Sequence, residues 1–286
     1  MNEIKFFLDY DESEDGVTIQ DKIETYLETN NICEAKKLII GAWEEPFDCG
    51  PEDIIKYLVE NKNKFPNVES MYIGDMDSEE CEVSWITQSN LAPLLDVFPL
   101  KTLKIKGSID LRLENANSET LEKLIIISGG LSKNLLKDIV DAKFPNLMHL
   151  ELYLGVDDYG FDGDIDDIIP FMIRENFPNV KYLGLKNSEK QDEICEEIFK
   201  SNILENLEVL DMSLGTLGDK GAELILENVG KIAHLSKLDL TYNYISDENI
   251  EKLQNKVNVL STEVLIDRDD ADYDEDDEWR YPYITE

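Results

Sequence analysis

Histidine is almost missing from this sequence: His149 and His234 are the two in 286 residues. A histidine-dependent triad or metal centre would have to use one of them, and His234 abuts Leu235, an inward position of the pattern described below. The four cysteines, Cys33, Cys49, Cys81 and Cys195, are far apart, form no Cys-x-x-Cys pair and have no histidine at metal spacing. In a chain of this size they read as reduced core thiols rather than disulfide or metal partners. No stretch approaches the roughly 18 to 20 uninterrupted apolar residues of a membrane helix. The opening Met1–Asp15 is acidic, with neither a basic n-region nor a signal-type cleavage site, so the expected location is cytoplasmic, away from the membrane. Also missing are G-x-G-x-x-G, the P-loop, H-E-x-x-H and the G-x-S-x-G elbow. The expectation is a chain that is not an enzyme and holds no cofactor or metal.

Basic residues are scarce too, 27 against 63 acids, for a net charge of −36 at pH 7. A phosphate backbone would be repelled by that field, which argues against nucleic acid as a partner and for a soluble, monomeric protein. The acidic surface would suit a basic partner. With 42% apolar and 31% charged residues the chain can bury a sizeable core, so it reads as a folded protein.

What the sequence does have is a repeat. The pattern L-x-x-L-x-L, with aliphatic residues or near substitutes at each L, begins at Ala35, Val68, Leu100, Leu121, Leu147, Val180, Leu207 and Leu235. Successive starts are 33, 32, 21, 26, 33, 27 and 28 residues apart, spacings typical of leucine-rich repeats. Alternation within each copy makes a short strand whose leucines point inward. The fold class predicted is an α/β leucine-rich-repeat solenoid, a horseshoe with a parallel concave sheet and convex helices. Helical returns are expected at Pro51–Asn63, Ser132–Lys143, Asp164–Asn176, Glu189–Lys200, Asp219–Val229 and Ser246–Val257. Ser188 with Gln191 fits a capping box at the start of one of them. Phe-Pro-Asn or a variant precedes strands at Phe65, Phe144 and Phe177, where proline disfavours helix in the residue before it. The 21-residue step after Leu100 is too short for a full helix, so Gly107–Thr120 is expected to be irregular, with a local change of curvature.

Both ends of such a stack need covering. Residues 1–34 are read as an N-terminal cap, with an apolar run at Ile4–Leu8 and a helix near Ile19–Leu27; residues 35–256 are the repeats. Residues 257–286 supply a possible last strand at Glu263–Ile266, an acidic segment and an aromatic cap, all within a single domain. The acidic segment, Asp267–Glu278, has nine acids in twelve residues, a composition that favours solvation. Trp279, Tyr281, Pro282, Tyr283 and Ile284 follow it and are placed to dock back on the last repeat.

Longer strings are more specific than the repeat: Cys81-Glu-Val-Ser-Trp-Ile-Thr-Gln88, Ser128-Gly-Gly130, Leu150-Glu-Leu-Tyr-Leu-Gly155 followed by Asp157-Asp-Tyr-Gly160, and Leu207-Glu-Val-Leu-Asp-Met-Ser-Leu-Gly-Thr-Leu-Gly-Asp219. With the opening Leu8-Asp-Tyr-Asp-Glu12 and the closing Arg280-Tyr-Pro-Tyr-Ile-Thr-Glu286, the chain over nearly its whole length resembles a family of bacterial cytoplasmic leucine-rich-repeat proteins of the ribonuclease-inhibitor-like type. The resemblance implies the fold and no particular activity.

In such a horseshoe the residues between the inward leucines line the concave face, the usual interaction surface. Three outward positions in each of eight copies hold six lysines against three acids, inverting the balance of the whole chain. Lys104, Lys106, Lys123, Lys186 and Lys237 would form a mildly basic strip for an acidic or phosphorylated peptide, interrupted by Glu151, Asp211 and Asp239. Tyr72, Tyr153 and Tyr182 would add flat contacts that lose little entropy. His149, beside Glu151 and Tyr153, has the chemistry of a base but more simply reads as an ordinary surface residue.

The loop Asp157–Asp167 invites a calcium reading, yet counting from Asp162 its sixth position is Asp167 rather than glycine and its twelfth is Ile173 rather than glutamate, so it fails the EF-hand template. It reads instead as an exposed loop whose acids favour the start of the next helix, with Tyr159 and Phe161 as partner anchors. Trp85, near Val83 and Ile86, reads as core packing. The function expected is a protein-interaction scaffold binding a protein or peptide on the concave face and rim loops. The alternative is an inhibitor or immunity-like protein that masks a basic enzyme with its acidic surface.

Overall fold

The computed structural model describes residues 3–30, 32–257, 263–265 and 280–285. Contacts divide the chain into two compact units. Unit 1 runs to Ser128 and includes Asn134–Leu147; unit 2 is Gly129–Lys133 with Met148–Thr285.

Unit 1 carries strands β1 (Glu3–Phe6), β2 (Lys37–Ile40), β3 (Ser70–Ile73), β4 (Thr102–Lys106) and β5 (Lys123–Ile127). Each pairs in parallel with the next, in a register that puts Leu38, Met71, Leu103 and Leu124 on one rung. Unit 2 repeats the plan with β6 (His149–Gly155), β7 (Tyr182–Ser188), β8 (Val209–Asp211), β9 (Lys237–Asp239) and β10 (Glu263–Leu265). Here Leu150, Leu183, Leu210 and Leu238 share a rung. These eight side chains are all within 1% of complete burial. Each contributes about 1.5 to 3 kcal/mol, and because a repeat buries its apolar face only against its neighbours, stability accumulates along the stack. Every strand that the L-x-x-L-x-L pattern predicts is present. The apolar run near the N-terminus is itself a strand, β1, paired Glu3↔Lys37; a short helix, Tyr10–Glu14, follows it, and the expected helix, Ile19–Thr29, is opened by a Thr18/Asp21 capping box.

Return segments follow the apolar spacing. Glu52–Glu60 buries Ile54, Ile55 and Leu58; Lys133–Asp141 buries Leu135, Leu136 and Ile139. The helix expected over Asp164–Asn176 is broken: it turns once as α-helix at Ile165–Ile168 and tightens to a 3₁₀ turn at Ile169–Met172, because Pro170 has no N–H for the i→i−4 ladder. The Ser188/Gln191 capping box also does not form. Ser188 belongs to β7, the helix starts at Gln191 after Lys190, and the buried Gln191 side chain instead donates to the Leu185 carbonyl at 2.8 Å. Between Gly107 and Thr120 no helix forms, as the short spacing requires. Leu111, Leu113 and Ala116 fill the core there, and Arg112 holds Asp138 through two hydrogen bonds of 2.6 and 2.9 Å. No helix among the described residues is long and apolar enough to cross a membrane. The acidic segment Asp267–Glu278 and Trp279 lie outside the described residues.

Candidate functional site

Strand pleating sends every second side chain away from the helices, so the outward face of each unit is set by the residues between the leucines. In unit 1 the register places Tyr72, Lys104 and Ile125 on one rung, and Lys106 with Ile127 on another. The Lys104 ammonium stands 4.2 Å from the Tyr72 ring centroid, a cation–π contact. Lys106 donates to the Met76 carbonyl. Lys123 shares a rung with Thr102, Ser70 and Lys37, and Lys37 reaches sideways to Glu3 on β1 at 2.7 Å. The outward positions of β2 to β5 therefore carry four lysines, two partly exposed isoleucines (Ile125 and Ile127) and no carboxylate.

Unit 2 uses the same geometry for different chemistry. Glu151, Gly184, Asp211 and Asp239 fall on one rung. Gly184 leaves a gap between the first two carboxylates; an added methyl there would stand 3.2 Å from Glu151 Cγ and 3.3 Å from Tyr182 Cε1. Lys186, on the next outward row, lies 2.6 Å from Asp211 Oδ2 and 3.6 Å from Glu151 Oε1, and 5.0 Å from the Tyr153 ring centroid. Tyr182 donates its hydroxyl to the same Asp211 oxygen at 2.5 Å. The other Asp211 oxygen accepts from the Ser213 amide and hydroxyl at 3.0 and 2.6 Å. His149 stacks on Tyr182 with centroids 3.8 Å apart, and its Nε2 is 3.0 Å from Glu151. Lys237 pairs with Asp239 at 2.8 Å.

The network titrates as its burial demands. Burial pushes the Asp211 carboxyl upward, but the Lys186 charge and the donors from Lys186, Ser213 and Tyr182 outweigh it and hold Asp211 below its ordinary value. Glu151 behaves alike: burial raises it, and His149 and Lys186 bring it lower. Burial alone would lower Lys186, yet Asp211 and its neighbours keep it above the ordinary range. The Tyr182 hydroxyl is pushed far up by burial and the adjoining carboxylates, so it stays protonated as a donor.

The structure thus brings Tyr72 together with Lys104, and His149, Glu151, Tyr153, Tyr182, Lys186 and Asp211 into one cluster. His149 is part of that cluster and not an ordinary surface residue. The Asp157–Asp167 loop is a helix lead-in: Asp164 caps Ile165 and pairs with Asp167 in a capping box, while Asp167 holds Lys133 at 3.0 Å. Phe161 is 2% exposed, so it is a core residue and not a partner anchor; Tyr159 is half-buried. Trp85 is corrected the other way. It is 57% exposed at the end of the short 3₁₀ turn Val83–Trp85, while Val83 and Ile86 take the core positions around it.

Sequence reasoning missed a ladder on one rim of unit 2. Asn187, Leu214 and Tyr242 have φ of 53°, 65° and 54°, a left-handed conformation rare outside glycine. All three stand seven residues after a repeat start, at Val180, Leu207 and Leu235, which was the signal available. Across these turns lies Arg280–Thr285, which docks over several repeats rather than on the last one alone.

Stacked parallel strands with buried leucine rungs and return segments define this class of protein. A leucine-rich-repeat family model matches residues 204–226 and 231–253. The crystal structure of a Bacteroides fragilis protein is similar at 40% identity and a TM-score of 0.86, over 99% of this chain and 77% of that one. The chain belongs to the leucine-rich-repeat proteins and shares a family with that bacterial relative. No curated protein matches it. Repeats of this kind commonly serve protein–protein interaction.

Proposed function

We propose that the chain is a non-catalytic, monomeric interaction scaffold that takes a protein or peptide partner on the outward strand face and adjoining rim loops. The observation that carries this reading is the outward face of β2 to β5: Lys37, Lys104, Lys106 and Lys123 beside Ile125 and Ile127, without a carboxylate, in a chain of net charge −36. Lysine ammoniums beside partly exposed aliphatic side chains suit an acidic peptide with apolar side chains, because charge sets orientation and on-rate while apolar contact supplies affinity. Tyr72, expected to offer a flat contact, is buried beneath Lys104. Cys49, Cys81 and Cys195 are free thiols, which supports a reducing, cytoplasmic setting.

Affinity purification with mass spectrometry tests the proposal, followed by the same capture with Lys104→Glu, Lys106→Glu and Lys123→Glu combined. The partner's affinity should fall at least tenfold while the fold is retained. A stoichiometric partner held equally well by the triple variant sinks the proposal. Should that partner be a basic protein released by salt, the net charge of −36 favours the inhibitor reading instead.

A further inference from the structure

The rim ladder of unit 2 holds a piece of chain by its backbone. Asn187 Nδ2 donates to the Ile284 carbonyl at 2.6 Å, and Asn187 Oδ1 accepts from the Ile284 amide at 2.8 Å. Three residues earlier the Tyr244 hydroxyl does the same to Tyr281, donating to its carbonyl at 2.9 Å and accepting from its amide at 3.1 Å. Between these two-way clamps the Tyr283 amide donates to the Leu214 carbonyl at 2.9 Å. Side chains add to this: Tyr281 donates its hydroxyl to Asp158 at 2.9 Å, the Tyr283 ring lies 4.8 Å from that of Tyr242, and Pro282 is buried.

Backbone clamps of this kind read an extended chain with little regard to sequence, and the pockets between them choose the side chains. Along the rim three left-handed residues face the same segment, Asn187 with its side chain, Leu214 with its carbonyl and Tyr242 with its ring, and Tyr244 supplies the second clamp. Non-glycine residues kept in that conformation cluster where structure serves recognition. In sequence the segment they hold follows β10 after residues 266–279 and carries no copy of the repeat pattern.

We propose that this rim is a recognition site for an extended peptide of Tyr-Pro-Tyr-aliphatic chemistry, and that Arg280–Thr285 occupies it in cis as a displaceable ligand. The proposal shares with the preceding one the premise that the fold binds peptides. Its test touches no residue of the lysine face, so either can fail alone.

The probe is a fluorescein-labelled synthetic peptide, Arg-Tyr-Pro-Tyr-Ile-Thr, followed by anisotropy against the full chain. Wild type should bind it weakly, because the docked copy in the same chain already occupies the rim. The full chain carrying Tyr281→Ala, Tyr283→Ala and Ile284→Gly should bind at least tenfold more tightly. Adding Asn187→Gly, which keeps the left-handed backbone and deletes one clamp, should remove at least tenfold of that gain. A folded triple variant that binds no better than wild type overturns the proposal and makes the segment a fixed cap. If the triple variant does not fold, hydrogen exchange on wild type decides: millimolar unlabelled peptide should speed exchange at the Tyr283 and Ile284 amides at least tenfold, and unchanged protection overturns the proposal.

Discussion

Two faces built by the same repeat differ in what they leave for another molecule. On β2 to β5 the outward positions hold four lysines and no carboxylate; on β6 to β9 they hold Glu151, Asp211 and Asp239 against Lys186 and Lys237. Backbone geometry cannot separate them, since both are parallel ladders in leucine register. The difference lies in side-chain pairing within the face. In unit 2 the charges are spent on one another: Lys186 and Asp211 are 7% and 2% exposed and hydrogen-bonded together. A charge buried with its partner fixes local structure more than it attracts a ligand. In unit 1 Lys37 pairs with Glu3 of β1, while Lys104 lies over an aromatic ring and Lys106 donates to a carbonyl, so β2 to β5 carry no carboxylate of their own to offset these lysines.

The hardest test of this contrast is Asp211→Ala. It leaves the buried Lys186 ammonium and Tyr182 hydroxyl without their acceptor and should cost about 3 to 5 kcal/mol in urea unfolding. A loss under about 1 kcal/mol would break the claim that unit 2 is internally neutralised. Replacing both partners, Asp211→Leu with Lys186→Met, should recover most of that loss, since a buried pair swapped for apolar groups is often near neutral.

Acid probes the same network. Asp211 and Glu151 have native values below their unfolded ones, so their stabilisation is fully present above the ordinary carboxylate range and is lost as pH falls through the lowered native values. Lys186 is raised, so its share persists at neutral pH and declines only as pH rises past the ordinary lysine range. Urea midpoints followed from pH 5 downward should therefore fall, and Asp211→Asn should flatten part of that slope; an unchanged slope counts against the network.

Smaller effects are expected in unit 1. Lys104→Glu with Lys123→Glu should weaken the captured partner about tenfold, or about 1.4 kcal/mol, with little change in unfolding. Lys104→Ala and Trp85→Ser should each shift stability by no more than about 0.5 kcal/mol, as surface substitutions do. If Trp85→Ser costs several times that, its side chain is doing core work after all.

Much was legible from spacing. Inward leucines with a period of two within a strand, recurring every 21 to 33 residues, announced all eight repeat strands and the irregular step after Leu100. Outward positions followed by parity, which is why Tyr72, Lys104, Glu151, Lys186 and Asp211 could be named. Parity did not show which of them meet, because Lys186 reaches Asp211 across 25 residues of sequence. Local rules failed where a longer-range bond competed: strand pairing extended β7 through Ser188 and removed it from the helix cap, and Val83 and Ile86 filled the space that Trp85 was expected to take.

By itself, then, the sequence determined the repeat, its strand register and the residues each face presents, because these depend on periodicities of a few residues that any stretch of chain obeys. Tertiary structure alone decided that Lys186 and Asp211 neutralise each other, that Phe161 is core and Trp85 surface, and that Arg280–Thr285 crosses three left-handed turns. Those outcomes depend on which residues from separate repeats come within hydrogen-bonding or van der Waals range, and that distance is set by stacking.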